Sequence, residues 1–137
     1  MVTRIVTAVA ALVSAYVHLK LWLDGFSDID MIGPAFMFNA VAGLVIAILL
    51  LAWKHWVPGF LAAGFGASTL GAFLLSATVG LFGVHEKWTG GYVWAAAIAE
   101  VVCIVGGLLV LREAWPRRQA DAPVGASTDG QRTSGSR

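Results

Sequence analysis

The chain has 137 residues, of which 58% are hydrophobic and 12% are charged, with a formal net charge of +1. Soluble domains carry about 25% charged residues. The low charged fraction of this chain therefore predicts that much of its surface faces lipid instead of water. The single cysteine, Cys103, excludes an intrachain disulfide and a cysteine-based metal cluster. The Lys and Arg residues are scattered at segment ends, which leaves no basic face for nucleic acid.

The first apolar segment predicts a membrane helix over residues 4–23. Its length is close to the roughly 20 residues that a helix needs to cross the hydrocarbon core. A secretory signal peptide is the alternative, because Arg4 precedes the apolar run 5–13 and small residues for cleavage follow at 13–15. The apolar character continues to Leu23, which favours a retained helix over a cleaved one.

Three further apolar segments predict helices over 32–53, 57–82 and 91–112, and only the last of them contains an acid, Glu100. Helices satisfy their own backbone hydrogen bonds in lipid, where irregular segments cannot. The links between the segments are short, which favours antiparallel neighbours. We therefore predict an all-α fold, an integral membrane four-helix up-down-up-down bundle in residues 1–115.

The basic residues predict how the bundle is oriented, because Lys and Arg concentrate in cytoplasmic loops. One end of the predicted bundle holds Arg4, Lys54 and the arginines that follow the fourth helix. The opposite end holds the loop between the first two helices and the loop 83–91 between the last two. Lys20 is the exception, because it lies nearer the opposite end of the bundle, where its long stem could extend to the outer surface. The sequence thus predicts a bacterial cytoplasmic membrane protein with both termini cytoplasmic (N-in/C-in). The polar segment 116–137 predicts a disordered cytoplasmic tail.

Small residues recur at helical spacing in every predicted helix, and such faces let membrane helices pack closely. The four faces are Ala11, Ser14 and His18; Ala35, Asn39, Gly43 and Ala47; Gly64, Ser68, Ala72, Ser76 and Gly80; and Ala96, Glu100, Cys103 and Gly107. Each face includes a polar side chain, which should point into the bundle because a polar group in a membrane finds its partners there.

One buried polar layer is predicted from four residues on four helices: His18, Asn39, Ser76 and Glu100. Counting 1.5 Å per residue puts them roughly 7–12 Å below the outer boundary, a little to the outer side of the midplane. Tyr16 and Thr78 could join the rim of this layer.

The layer has two interpretations. In the favoured one it is structural: hydrogen bonds across the bundle fix its register, and the protein is a non-enzymatic accessory or scaffold subunit. Its partners would then be the bilayer and either a larger membrane complex or a second copy of the chain. In the alternative, His18 and Glu100 serve a small proton-coupled transporter or a site for a lipid, quinone or other cofactor. The sequence predicts no catalytic residue, no metal site, no resident cofactor and no nucleic-acid partner.

Overall fold

The structure, a computed structural model, describes residues 1–80 and 90–120, with side chains to residue 114. Within these residues the chain forms four long helices: α1 (Val2–Leu23), α2 (Ile32–Ala52), α3 (Val57–Thr78) and α4 (Gly91–Ala120). A short 3₁₀ turn, Phe26–Asp28, lies between α1 and α2. All four long helices are long and apolar enough to cross a membrane. The fold is therefore all-α in the described part of the chain, as the sequence predicts.

α3 is shorter than its apolar run suggests. It ends at Thr78 instead of residue 82, because Gly80 adopts a left-handed φ of +84° that a helix does not continue. The N–H groups of Val79 and Gly80 both donate to the carbonyl of Leu75, which satisfies the end of the helix. The predicted loop 83–91 lies outside the described residues up to residue 89.

α4 is longer than predicted. It continues past residue 112 to Ala120, so residues 116–120 are helical and not part of a disordered segment. Pro116 removes one backbone donor near the end of the helix, and the Arg, Arg, Gln and Ala residues that follow it are good helix formers. The apolar run of α4 ends at Leu111, before Arg112 and Glu113. The remainder of the predicted tail, 121–137, lies outside the described residues.

Each helix packs antiparallel against the next, and α4 returns to pack against α1. Three glycine contacts set the register: Gly43 meets Ala11 of α1, Gly59 meets Gly107 of α4, and Gly66 meets Glu100 of α4. α2 and α3 make the fewest contacts of the neighbouring pairs. The end of the bundle that carries the turn Phe26–Asp28 is called the loop end below, and the opposite end, where α1 begins, is called the terminal end.

At the terminal end, Arg4 of α1 caps the last turn of α2. Its guanidinium donates hydrogen bonds to the backbone carbonyls of Leu50 at 3.3 Å, Trp53 at 2.8 Å and His55 at 2.6 Å. The final carbonyls of a helix lack partners within the helix, and a cation there is favoured by the helix dipole. Arg4 is only 9% exposed. Arg4 therefore links α1 to the α2–α3 turn. It is also one of the basic residues from which the sequence predicts the orientation.

The loop end is held by close packing between the short turn and α2. Gly33 approaches the backbone of Ser27 so closely that a Cβ would overlap with it. The ring of Phe26 stacks on that of Phe36 in α2, with centroids 5.3 Å apart. Lys20 of α1 reaches this end and forms an ion pair with Asp24, as its long stem allows.

Candidate functional site

A cavity of about 120 Å³ lies in the loop-end half of the bundle and is lined by residues from all four helices. The four residues of the predicted layer are among those that line it: His18, Asn39, Ser76 and Glu100. The remaining walls are mostly aliphatic and aromatic, with Thr69 and Tyr92 as the other polar side chains. The structure thus brings the predicted residues together around an open space.

His18 is held in one orientation by α1 and α2. Its Nδ1 lies 2.8 Å from the carbonyl oxygen of Ser14, one turn earlier in α1. A carbonyl only accepts hydrogen bonds, so Nδ1 carries a hydrogen and donates it. The ring of Phe36 meets the imidazole edge to face, at a centroid distance of 5.3 Å. Both contacts leave Nε2 as the nitrogen that faces across the bundle.

Glu100 enters the cavity from α4 and is only 3% exposed. The side chain of Thr69 on α3 lies beside this carboxyl group, within reach of a hydrogen bond. The Thr69 hydroxyl also lies 2.7 Å from the carbonyl oxygen of Phe65. Because a hydroxyl has one hydrogen, Thr69 either donates to Phe65 and accepts from a protonated Glu100, or turns its hydrogen to a carboxylate. Thr69 can therefore serve both protonation states of the acid.

His18 and Glu100 face each other without a direct hydrogen bond. Nε2 of His18 lies 4.0 Å from Oε1 of Glu100, whereas such a bond needs roughly 2.7–3.2 Å. On α3 the Thr69 hydroxyl lies beside the Glu100 carboxyl, and Nδ1 of His18 bonds to the Ser14 carbonyl of its own helix. The imidazole and the carboxyl therefore lie side by side in the cavity wall, where one polar group in the cavity can contact both.

Asn39 and Ser76 line the same cavity from α2 and α3. Asn39 is half-buried, and Ser76 is 5% exposed. Tyr16 and Thr78 do not join the rim: both are exposed, and the Thr78 hydroxyl donates to the Leu74 carbonyl of its own helix at 2.7 Å.

The sequence missed Thr69, which is 5% exposed and lies beside the acid. The predicted face of α3 consists of residues four positions apart. On a helix of 3.6 residues per turn, each such step moves the next residue about 40° around the helix axis, so the residues do not stay on one face. The prediction for α3 is wrong at Gly64 and Ser68, which are both exposed. The buried face alternates steps of four and three: Ala62, Gly66, Thr69, Phe73 (half-buried) and Ser76. That alternation is the signal that would have found Thr69.

No protein-family model, curated protein or solved structure matches the chain. Within residues 1–80 and 90–120, no three His, Cys, Asp or Glu side chains lie together in a group that could hold a metal ion. The chemistry of the cavity must therefore be inferred from its own residues.

Proposed function

We propose that this protein binds the polar group of a small or amphipathic molecule in the loop-end cavity, without covalent chemistry. The observation that supports this most directly is that polar side chains from four helices border one open space of about 120 Å³. Ligand sites have this composition: mostly apolar walls and a few polar groups that converge.

A purely structural layer would be expected to look different. Polar groups placed in a membrane to fix register are worth most when they bond to each other across helices. Here the imidazole and the carboxyl lie next to each other in the cavity wall, with Nε2 and Oε1 4.0 Å apart and no hydrogen bond between them. We therefore favour the binding interpretation, which the sequence left as the alternative, over the structural one.

The route into the cavity is proposed to run between α2 and α3. These neighbours make the fewest contacts with each other, and both contribute partly exposed residues to the cavity wall. Those residues are Ala35 and Phe36 of α2 and Ala72 and Phe73 of α3. A lateral opening of this kind would admit a molecule that is dissolved in the bilayer.

The test is to identify molecules that stay with the protein when it is purified in a mild detergent, by mass spectrometry. Ala72→Leu would fill part of the cavity from α3, and Ala67→Leu adds the same bulk to an exposed position of that helix. We expect a molecule that remains with the wild type and with Ala67→Leu but is depleted from Ala72→Leu. Identical molecules in all three preparations would contradict the proposal.

We also propose that the protein lies in a bacterial cytoplasmic membrane with its terminal end facing the cytoplasm, from the distribution of Lys and Arg. Cys103 is fully buried, so an added surface cysteine can be labelled by itself. Asp30→Cys, at the loop end, should react with a membrane-impermeant maleimide in intact cells, and Lys54→Cys only after lysis; both positions are exposed. The reverse pattern would mean the opposite orientation.

A role as an accessory subunit is a second proposal, favoured by the outward face of α3. Gly64 and Gly71 lie there with no atom within 4 Å of the position of a Cβ. Small residues on an exposed membrane helix allow another helix to approach closely. Native mass spectrometry in mild detergent should then show a larger complex or a homo-oligomer that Gly64→Leu disrupts. A monomer for both the wild type and Gly64→Leu would argue against this role.

A further inference from the structure

The hydrogen-bonding capacity of the cavity narrows the kind of ligand it fits. Nδ1 of His18 already donates to the Ser14 carbonyl at 2.8 Å, so Nε2 of the neutral ring is left with a lone pair. Beside it in the cavity wall, Oε1 of Glu100 is an acceptor in the carboxylate form. The two atoms that face each other at 4.0 Å are then both acceptors.

A group with two hydrogens on one atom satisfies such a pair. A nitrogen placed at a usual hydrogen-bond length of about 2.85 Å from both atoms would see them at an angle of about 90°, not far from the tetrahedral H–N–H angle. A primary ammonium meets this requirement and has a third hydrogen for another partner. Asn39 lines the same cavity and has an amide oxygen that accepts.

The charges of the cavity residues also favour an ammonium group as the ligand. Among the described residues, those that line the cavity include one acid, Glu100, and no Lys or Arg. A carboxylate at that depth needs a cation close to it, because an unpaired charge in a membrane is costly. A ligand with a phosphate or carboxylate group would find no cationic side chain of Lys or Arg among these residues.

We propose that the loop-end cavity binds the amino group of an amphipathic primary amine, with His18 Nε2 and Glu100 Oε1 as acceptors of two of its hydrogens. This rests on the proposed binding function and names the ligand class. The amine arrives from the bilayer as the neutral base, and the carboxyl hydrogen of Glu100 moves to the nitrogen lone pair. The products are an ammonium and a carboxylate, so the total charge of the cavity stays unchanged.

Through its hydroxyl, Thr69 can hydrogen-bond to Glu100 both before and after this proton transfer. Before binding, its hydroxyl accepts from the protonated acid and donates to Phe65; afterwards, its hydrogen turns to the carboxylate. The apolar chain of the ligand would lie against Phe36 and Phe73 and leave between α2 and α3.

The experiment is equilibrium dialysis of radiolabelled dodecylamine with the full-length protein in a mild detergent. The competing ligands are dodecanol, which is neutral, and dodecyltrimethylammonium, which is a cation without N–H groups. Phosphatidylethanolamine is a further competitor, because it carries the same ammonium beside a phosphate. We expect saturable binding of dodecylamine that neither dodecanol nor the quaternary cation displaces. Displacement by phosphatidylethanolamine would support the ammonium and assign it to a lipid headgroup; no displacement would support a free amine.

Two variants and one control locate the binding. Glu100→Gln removes the charge and should weaken dodecylamine binding by roughly tenfold or more, the usual effect of losing one charge-assisted hydrogen bond. His18→Phe keeps a ring but lacks the acceptor, and it provides the same test if Glu100→Gln does not fold. Ser68→Ala, on the exposed side of α3, should bind as the wild type does.

The outcomes separate the two proposals. Equal binding of dodecanol or of the quaternary cation, or full binding by Glu100→Gln, would overturn the amine assignment and leave a ligand cavity in place. An absence of saturable dodecylamine binding would also overturn the assignment. If, in addition, Ala72→Leu and the wild type retain the same molecules, the proposed function fails with it.

Discussion

Gly66 of α3 packs directly against the backbone carbonyl of Glu100 in α4. A Cβ at position 66 would overlap with that carbonyl oxygen and would also come within 3.1 Å of Cys103. The missing side chain lets the two helices approach at the height of the acid. The same approach brings Thr69, nearly one turn further along α3, to the carboxyl group. One glycine therefore fixes both the depth of Glu100 and its partner.

Gly66→Ala should destabilise the bundle, because the new methyl group must push α3 away from α4. Inserting an extra methyl group into a closely packed contact costs typically about 1–3 kcal/mol. Gly64→Ala is the matched control on the same helix, where a Cβ meets open space. There the better helix propensity of alanine should leave stability unchanged or raise it by about 0.5–1 kcal/mol. Thermal unfolding in detergent compares the two, and equal melting temperatures would contradict the packing.

Arg4→Met should lower the free energy of unfolding, because three carbonyls at the end of α2 and in the following turn lose their donor. Hydrogen bonds to a charged group are worth about 1.5–3 kcal/mol each, and part of this is recovered from water at the terminal end. Arg4→Lys should retain only part of the effect, since an ammonium lacks the planar fork of the guanidinium. Lys54→Met removes the same charge from an exposed position nearby. Denaturation of the three variants should therefore rank Lys54→Met as the most stable and Arg4→Met as the least.

Thr69→Val should destabilise the protein, since the valine has nearly the same shape but leaves the Glu100 carboxyl without its cross-helix partner. Measured membrane hydrogen bonds average about 0.6 kcal/mol, and an unsatisfied buried group raises the loss toward about 2 kcal/mol. Thr69→Ser keeps the hydroxyl and should be close to the wild type. Thr78→Val is the control, because that hydroxyl is exposed and bonds only within its own helix. A loss of stability for Thr78→Val as large as that for Thr69→Val would show that the bond to Glu100 contributes nothing of its own.

The sequence predicts the helices well because long apolar runs with short polar links leave few alternatives in lipid. It also predicts the convergence of His18 with Glu100, since each shares a face with small residues that have to meet another helix. It fails at Gly80, where an apolar run continues past a residue that ends the helix. A hydropathy pattern carries no information about the φ angle of a single residue.

Two features of the site could not be predicted from spacing. The cavity depends on how far α2 and α3 stand apart, and no periodicity within one helix contains that distance. The buried capping role of Arg4 depends on where α2 ends relative to α1. Both are properties of the packed bundle, whereas the faces of the individual helices are properties of the sequence.

The imidazole of His18 and the carboxyl of Glu100 face the same cavity, with Nε2 and Oε1 4.0 Å apart. The most direct measurement is the infrared absorption of the Glu100 carboxyl, identified as the band that Glu100→Gln removes. We predict that His18→Phe shifts this band and that transfer to D₂O shifts it quickly, whereas His55→Phe, at the terminal end, leaves it unchanged. A Glu100 band that responds equally to both histidine substitutions, or to neither, would contradict this placement of His18 beside Glu100.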